Sequence, residues 1–347
     1  MNVFKRLQSI IIVILFFLNI SRFNAYAMQN SANAAPLKVA VFISSFDDLF
    51  LYEIKKSLED IQVENNNKVQ FTFFDGKDNQ GIQNDSMEKA LSEDFDIFVL
   101  RPVSKNISSL QSIFTKMQQK NIPLILLHDK TPSILSFLRS YPKSFIIDTD
   151  LVQSGILEGQ IIVDAWNTNK EAFDKNKDNT IQYIMLKGPS DSNITDIRTK
   201  YSIQAINQAG IRTQELASTT CDFLEDCARN AIESIFLTYG NKVEAIISNN
   251  DAMAIGAIKG LQKYGYNKGD TSKYIPVVGI DALPEAKELI NQGAMTGTVA
   301  QYPREHADAI YSIGMNLVSG APPLRGTNYK VDETGIAIEL PYYEYNK

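Results

Sequence analysis

From residue 37 onward the chain alternates short apolar runs with segments whose apolar residues return every third or fourth position. The runs at 37–44, 69–74, 97–100, 123–127 and 144–147 are too short for helices and rich in β-branched and aromatic residues. They predict strands buried on both faces. Between them Leu51, Ile54, Leu58 and Ile61 mark one helical face, with Asp47 or Asp48 as its cap. Met87, Ala90 and Leu91 mark a second helix, and Leu110, Ile113 and Met117 a third. The pattern then restarts: helices at 151–166 and 193–208, a third through Ile232, and a fourth from Asp251 carrying Ile255, Ile258 and Leu261. Strands are expected at 181–186, 213–217, 244–248 and 275–280. This order predicts an α/β protein with parallel sheets covered on both faces, as two doubly wound lobes.

The remaining composition narrows the function. Of 347 residues, 44% are hydrophobic and 21% charged, which excludes a disordered chain. A net charge of −6 without a long basic tract argues against nucleic acid. Two cysteines and two histidines exclude a Cys/His zinc cluster. At the N-terminus Lys5 and Arg6 precede an apolar run at 10–18, and Ala25-Tyr26-Ala27 supplies a small-x-small cleavage signal. Residues 1–27 thus read as a signal peptide, the alternative being a retained anchor. No cysteine stands near the cleavage signal, so no lipid anchor of that type is expected. The expected location is the periplasm or the outer face of the cell membrane.

Ligands of open α/β sheets bind beyond the carboxyl ends of the strands. The residues there are Phe46 to Phe50 with Asp47 and Asp48, Arg101, Asp129 and Lys130, Asn249 to Asp251, Asp281 and Gln301. Each short acid or amide, taken singly, can be a helix cap. Their recurrence in both halves suits a neutral polyhydroxyl ligand: acids and amides take hydroxyls, Arg donates a fork, and Phe covers the ring. The G-x-G-x-x-G, G-x-x-x-x-G-K and G-x-S-x-G patterns are absent from the expected places. His128 and His306 read as structural. A binding protein is expected rather than an enzyme. One compact motif remains, Asp174 to Gln182. Asp174, Asn176, Asp178, the Thr180 carbonyl and Gln182 follow the first nine places of a calcium loop. A solvated polar turn is the alternative.

The stretches 46–50, 174–182, 244–256, 279–286, 297–299 and 326–328 together resemble the galactose/glucose-binding group of bacterial periplasmic sugar receptors, which serve ABC transporters. The resemblance spans residues 38 to about 343. It implies the type I periplasmic binding fold, with three hinge crossings near Thr149, Gln301 and Glu339. One lobe is then 37–149 plus 302–339 and the other 150–301 plus 340–347. Asp48 should bind hydroxyls and Phe50 stack on the ring, with Arg198, Asn250, Asp281 and Gln301 as hydrogen-bonding positions. Glu244 completes the calcium set, so the resemblance implies a calcium cofactor. The chain departs from the group in several places. Arg101 replaces an Asn, and Asp191 is left to serve where a His-x-Asp pair is lost. The Trp opposite Phe50 is missing, with Cys221 in that region and Cys227 near enough for a disulfide in an exported chain. The implied partners are a monosaccharide, a galactose/glucose-like sugar with altered specificity, and an ABC permease. A chemoreceptor or sensor kinase is the alternative partner. A monomer is expected.

Overall fold

The computed structural model describes residues 35–104, 107–127 and 130–346. The expected signal peptide, His128 and Asp129 lie outside them. Elements are numbered in chain order. The first sheet contains β1 (Leu37–Ile43), β2 (Val69–Asp75), β3 (Ile97–Leu100), β4 (Leu124–Leu127), β5 (Ser144–Thr149) and β11 (Ala337–Leu340). Its order is β11-β5-β4-β3-β1-β2, all parallel. Helices α1 (Leu49–Glu64), α2 (Gln80–Ala90), α3 (Gln111–Gln119) and α4 (Pro132–Arg139) connect the consecutive strands.

The second sheet contains β6 (Thr180–Lys187), β7 (Arg212–Thr220), β8 (Ala245–Ser248), β9 (Val277–Asp281), β10 (Gly297–Ala300) and β12 (Tyr343–Asn346). Its order is β12-β10-β9-β8-β6-β7, parallel except for β12, which runs against β10. Its helices are α5 (Leu151–Thr168), α6 (Lys170–Phe173), α7 (Asn193–Gln208), α8 (Glu225–Tyr239), α9 (Asp251–Lys263) and α10 (Pro284–Asn291). A last helix, α11 (Pro303–Ser319), returns to the first lobe.

The apolar strands are buried on both faces because successive side chains enter opposite cores. From β1, Val39, Val41 and Ile43 join a core with α1 and α11, whereas Ala40 and Phe42 join one with α2, α3 and α4. From β6, Ile184 and Leu186 face α8 and α9, whereas Tyr183 and Met185 face α5. Strand order reverses between β1 and β3 in one sheet and between β6 and β8 in the other. Those are the switch points where a crevice opens. The chain passes between the sheets three times: after Thr149, after Ala300 and after Leu340.

The apolar pattern did not predict α4, α6, α10, α11, β10, β11 or β12. Three of these helices begin with Pro in the first turn, and α11 buries Ala307, Ala309 and Gly314 beside Ile310 and Ile313. Small residues let it pack closely but weaken the periodic signal. β12 is an edge strand of mostly exposed polar and aromatic residues.

Candidate functional site

A cavity of about 540 Å³ lies between the lobes. Asp48, Phe50, Arg101, Asp191, Arg198, Asn250, Asp281 and Gln301 all line it. Strand ends and helix starts bring them there.

In the first lobe Asp48 caps α1, and its Oδ1 accepts the Phe50 and Leu51 N–H groups at 2.9 and 3.1 Å. Asp48, not Asp47, is therefore the cap. Burial raises its pKa despite those donors and the charges of Arg101 and Arg198. Phe50 is buried and meets the His306 ring edge-on, centroids 5.3 Å apart. His306, on α11, also lines the cavity. Burial pushes its pKa down to about 4, and Arg101 adds to the effect, so the ring is neutral at pH 7. Arg101 follows β3, and its Nη1 donates to the Leu127 carbonyl at 2.9 Å. That bond ties its head to the end of β4.

The second lobe is wired more densely. Arg198, on α7, is 4% exposed. Its Nη1 donates to the Asn249 carbonyl at 2.7 Å and its Nη2 to the Tyr342 hydroxyl at 3.2 Å. Burial opposes its charge, but Tyr342, Asp281 and Glu158 hold its pKa above the usual value. Its Nε is buried without a partner, a donor left for a ligand or water. Asp281 ends β9 with φ 128°, and its Oδ1 accepts the Gln301 amide at 2.5 Å. Burial raises the Asp281 pKa well above the usual range, and Asp251 and Asp48 add to this against Arg198. Asn250 caps α9 through Oδ1 to the Met253 N–H at 3.0 Å, and its Nδ2 donates to the Phe223 carbonyl at 3.3 Å. The capping role read at this strand end is real. Asp191 is exposed on its part of the wall.

Two further lining residues went unread in the sequence. Tyr342, in the third crossing, receives Arg198 and donates to Thr149 Oγ1 at 3.0 Å, linking the second lobe to the first crossing. Phe223 follows β7 and is half-buried. Where the Trp opposite Phe50 is missing, Phe223, two residues beyond Cys221, lines the second wall. Cys221 and Cys227 flank Phe223 and are disulfide-bonded. An aromatic residue three places past the end of a strand was the available signal.

The six expected calcium residues also come together. Asp178 N–H donates to Asp174 Oδ1 at 2.9 Å, and Asn179 N–H to Asp174 Oδ2 at 3.0 Å. Lys177 and Asn179 take the left-handed conformation, φ 61° and 58°. Thr180 N–H donates to Asp178 Oδ1 at 2.8 Å. Glu244 accepts the Lys175 and Gln182 N–H groups at 2.7 and 3.1 Å. The Asn176 and Gln182 amides, however, direct nitrogen to Asp178 Oδ2, at 3.0 and 2.9 Å. Among the described residues no group of three His, Cys, Asp or Glu side chains is arranged to hold a metal ion.

Two lobes, hinge crossings and a polar interlobe cleft define a solute receptor. The chain belongs to the periplasmic binding protein family, whose domain model matches residues 39–322. That membership makes it a binding receptor and not an enzyme. It is 29% identical over 324 residues to the D-galactose/methyl-galactoside binding periplasmic protein of Haemophilus influenzae, covering 93% of each chain. It is 21% identical over 328 residues to the xylitol-binding protein of Mycolicibacterium smegmatis, covering 92% of this chain and 85% of that one. Among solved structures it matches an Actinobacillus succinogenes solute-binding protein with bound D-allose. The TM-score is 0.71 at 18% identity, covering 90% of this chain and 98% of that one. A Bacillus halodurans solute-binding protein with bound myo-inositol matches with TM-score 0.69 at 21% identity, over 90% and 96% of the two chains. No helix among the described residues is long and apolar enough to cross a membrane.

Proposed function

We propose that this receptor binds a monosaccharide or a sugar alcohol of similar size between its lobes, closes on it, and delivers it to an ABC permease. The observation that supports the reading is the split cleft. Asp48 and Phe50 stand on one wall, and Arg198, Asn250, Asp281, Gln301 and Phe223 on the other. A closed state gains contacts that an open one lacks, so a ligand that touches both walls shifts the population toward closure. Carboxylates, two amides and a guanidinium match hydroxyls, and two Phe rings match the C–H faces of a sugar ring. The Haemophilus relative, named for galactose, makes a hexose the first choice. Arg101 and the Phe ring on the second wall favour a specificity that differs from it. A thermal-shift screen with D-galactose, D-glucose, D-allose, D-ribose, xylitol, myo-inositol and D-galacturonate tests the reading. One or two neutral compounds should raise the melting temperature, by about 2.7 kcal/mol of stabilisation at 100 times Kd. A screen in which none does so would overturn it.

Calcium is proposed as a structural ion of the second lobe. Asp174, Asn176, Asp178, the Thr180 carbonyl, Gln182 and Glu244 would hold it. Burial and the Asp174 charge raise the Glu244 pKa against its Gln182 and Lys175 N–H donors, so a cation held by both carboxylates would offset their repulsion. Binding requires the Asn176 and Gln182 amides to present oxygen where they now present nitrogen to Asp178. Equal melting temperatures in calcium and in chelator would show a plain turn.

An exported location is supported by the Cys221–Cys227 bond, since structural disulfides persist in oxidising compartments.

A further inference from the structure

The turn from β7 into α8 has an unusual backbone for its sequence. Leu224 N–H donates to the Cys221 carbonyl at 2.8 Å, and both residues inside that turn have positive φ, 51° at Asp222 and 66° at Phe223. Turns with two left-handed central residues favour Asn and Gly. A bulky Phe there persists only where its surroundings hold it. Three contacts do so. Asn250 Nδ2 donates to the Phe223 carbonyl. The Phe223 ring lies over Gly188, where an added Cβ would stand 2.2 Å from the ring's Cζ. The disulfide ties the first residue of the turn to the first turn of α8, with Cα atoms 5.3 Å apart. The first two contacts vanish when the turn opens. The covalent one remains and limits the alternatives open to the loop.

We propose that the Cys221–Cys227 disulfide is a positioning clamp for ligand binding, holding Phe223 against the cleft so that affinity depends on an intact bond. Asp222, Phe223 and Leu224, the three residues that follow Cys221, all line the cavity. The clamp rests on the reading of that cavity as a sugar site. Cys221 is 1% exposed and Cys227 is half-buried, so a reductant reaches the bond from the Cys227 side. An added dithiol supplies two electrons and two protons. The S–S bond breaks to two protein thiols, and the dithiol becomes a disulfide.

The test compares the full chain oxidised, reduced with dithiothreitol, and as the Cys221→Ser/Cys227→Ser double variant, each well below its melting transition. Each is titrated with whichever of D-galactose, D-glucose, D-allose, D-ribose, xylitol and myo-inositol binds the oxidised protein best. Amide exchange at residues 222–224 is followed without sugar. Reduction and the double variant should each raise Kd about tenfold or more, as loss of preorganisation does, and exchange at 222–224 should accelerate. Phe223→Ala should weaken the oxidised protein at least as much but change the reduced protein less than about twofold, a non-additive cycle. Unchanged affinity in folded, reduced protein would overturn the clamp, even if the melting temperature fell. Independent, multiplying effects of reduction and Phe223→Ala would also overturn it. If none of these compounds binds the oxidised protein, the sugar reading fails, while unaltered exchange at 222–224 still overturns the clamp.

Discussion

The two walls of the cleft are built in opposite ways. On the first lobe the aromatic residue is the fixed part: Phe50 is buried against His306, whereas Asp48 and Arg101 are only half-buried. On the second lobe the polar groups are fixed, with Arg198, Asn250, Asp281 and Gln301 all at most 6% exposed and hydrogen-bonded. There the ring of Phe223 sits on a turn. Each wall thus pairs a buried set with a more exposed one. A ligand can meet prearranged hydrogen bonds on the second lobe and a prearranged ring face on the first.

The sharpest way to break this contrast is Arg198→Ala. It removes the donor to the Asn249 carbonyl and Tyr342, and leaves Asp281 and the wholly buried Glu158 without their cation. Breaking a buried charge set by removing one partner costs about 3–5 kcal/mol. Urea unfolding should show a loss of that size, and Arg198→Lys should recover only part of it. A loss below about 1 kcal/mol would mean that the second wall is not held together by this residue.

The first wall separates its two roles in Asp48→Asn. Asn is as good a helix cap as Asp, so stability should move by less than about 0.5 kcal/mol. Ligand binding should weaken by about 1.5–3 kcal/mol, because a charged acceptor for hydroxyls is lost. Calorimetry beside thermal unfolding separates the two. Equal binding in the variant would reduce Asp48 to its cap.

Acid should act on the first wall through His306. Its ordinary pKa near 6.5 falls to about 4 in the fold, so the native protein refuses a proton that the unfolded chain accepts. This contribution is full above pH 6.5 and is lost as pH falls through about 4, about 3 to 3.5 kcal/mol in all. Glu158 and Asp281 act in the reverse sense. Burial raises their pKa values, so their contribution is full below the ordinary carboxylate range and is lost as pH rises through the raised values. The difference between wild type and His306→Gln in urea melts at pH 7.5 and 4.5 isolates the histidine. Parallel pH profiles would refute the assignment.

The smallest expected effect is at the hinge. Tyr342→Phe deletes a hydroxyl that joins Arg198 to Thr149 Oγ1, worth about 0.5–1.5 kcal/mol per hydrogen bond. It should appear in ligand affinity as well as in stability, since the link crosses between hinge segments. An effect on stability alone would show that it does not bear on closure.

These residues also show what the sequence could reveal. Strands buried on both faces announce themselves as apolar runs, and parallel topology then places Asp48, Arg101, Asn250 and Asp281 at one end of their sheets. Phe223 and Tyr342 escaped because their positions depend on backbone events without a periodic signature. One is a turn with positive φ at Asp222 and Phe223. The other is the third crossing between lobes, at residues 340–343. His306 was legible as structural but not as the backing of Phe50, because α11 carries too many small residues to announce the helix.

Closure around a sugar is the central claim, and small-angle scattering tests it most directly. With a saturating concentration of the sugar that stabilises the protein most, the radius of gyration should fall relative to the free protein, and Asp48→Asn should require more sugar for the same compaction. A radius unchanged at saturation, with binding shown independently by calorimetry, would contradict the account.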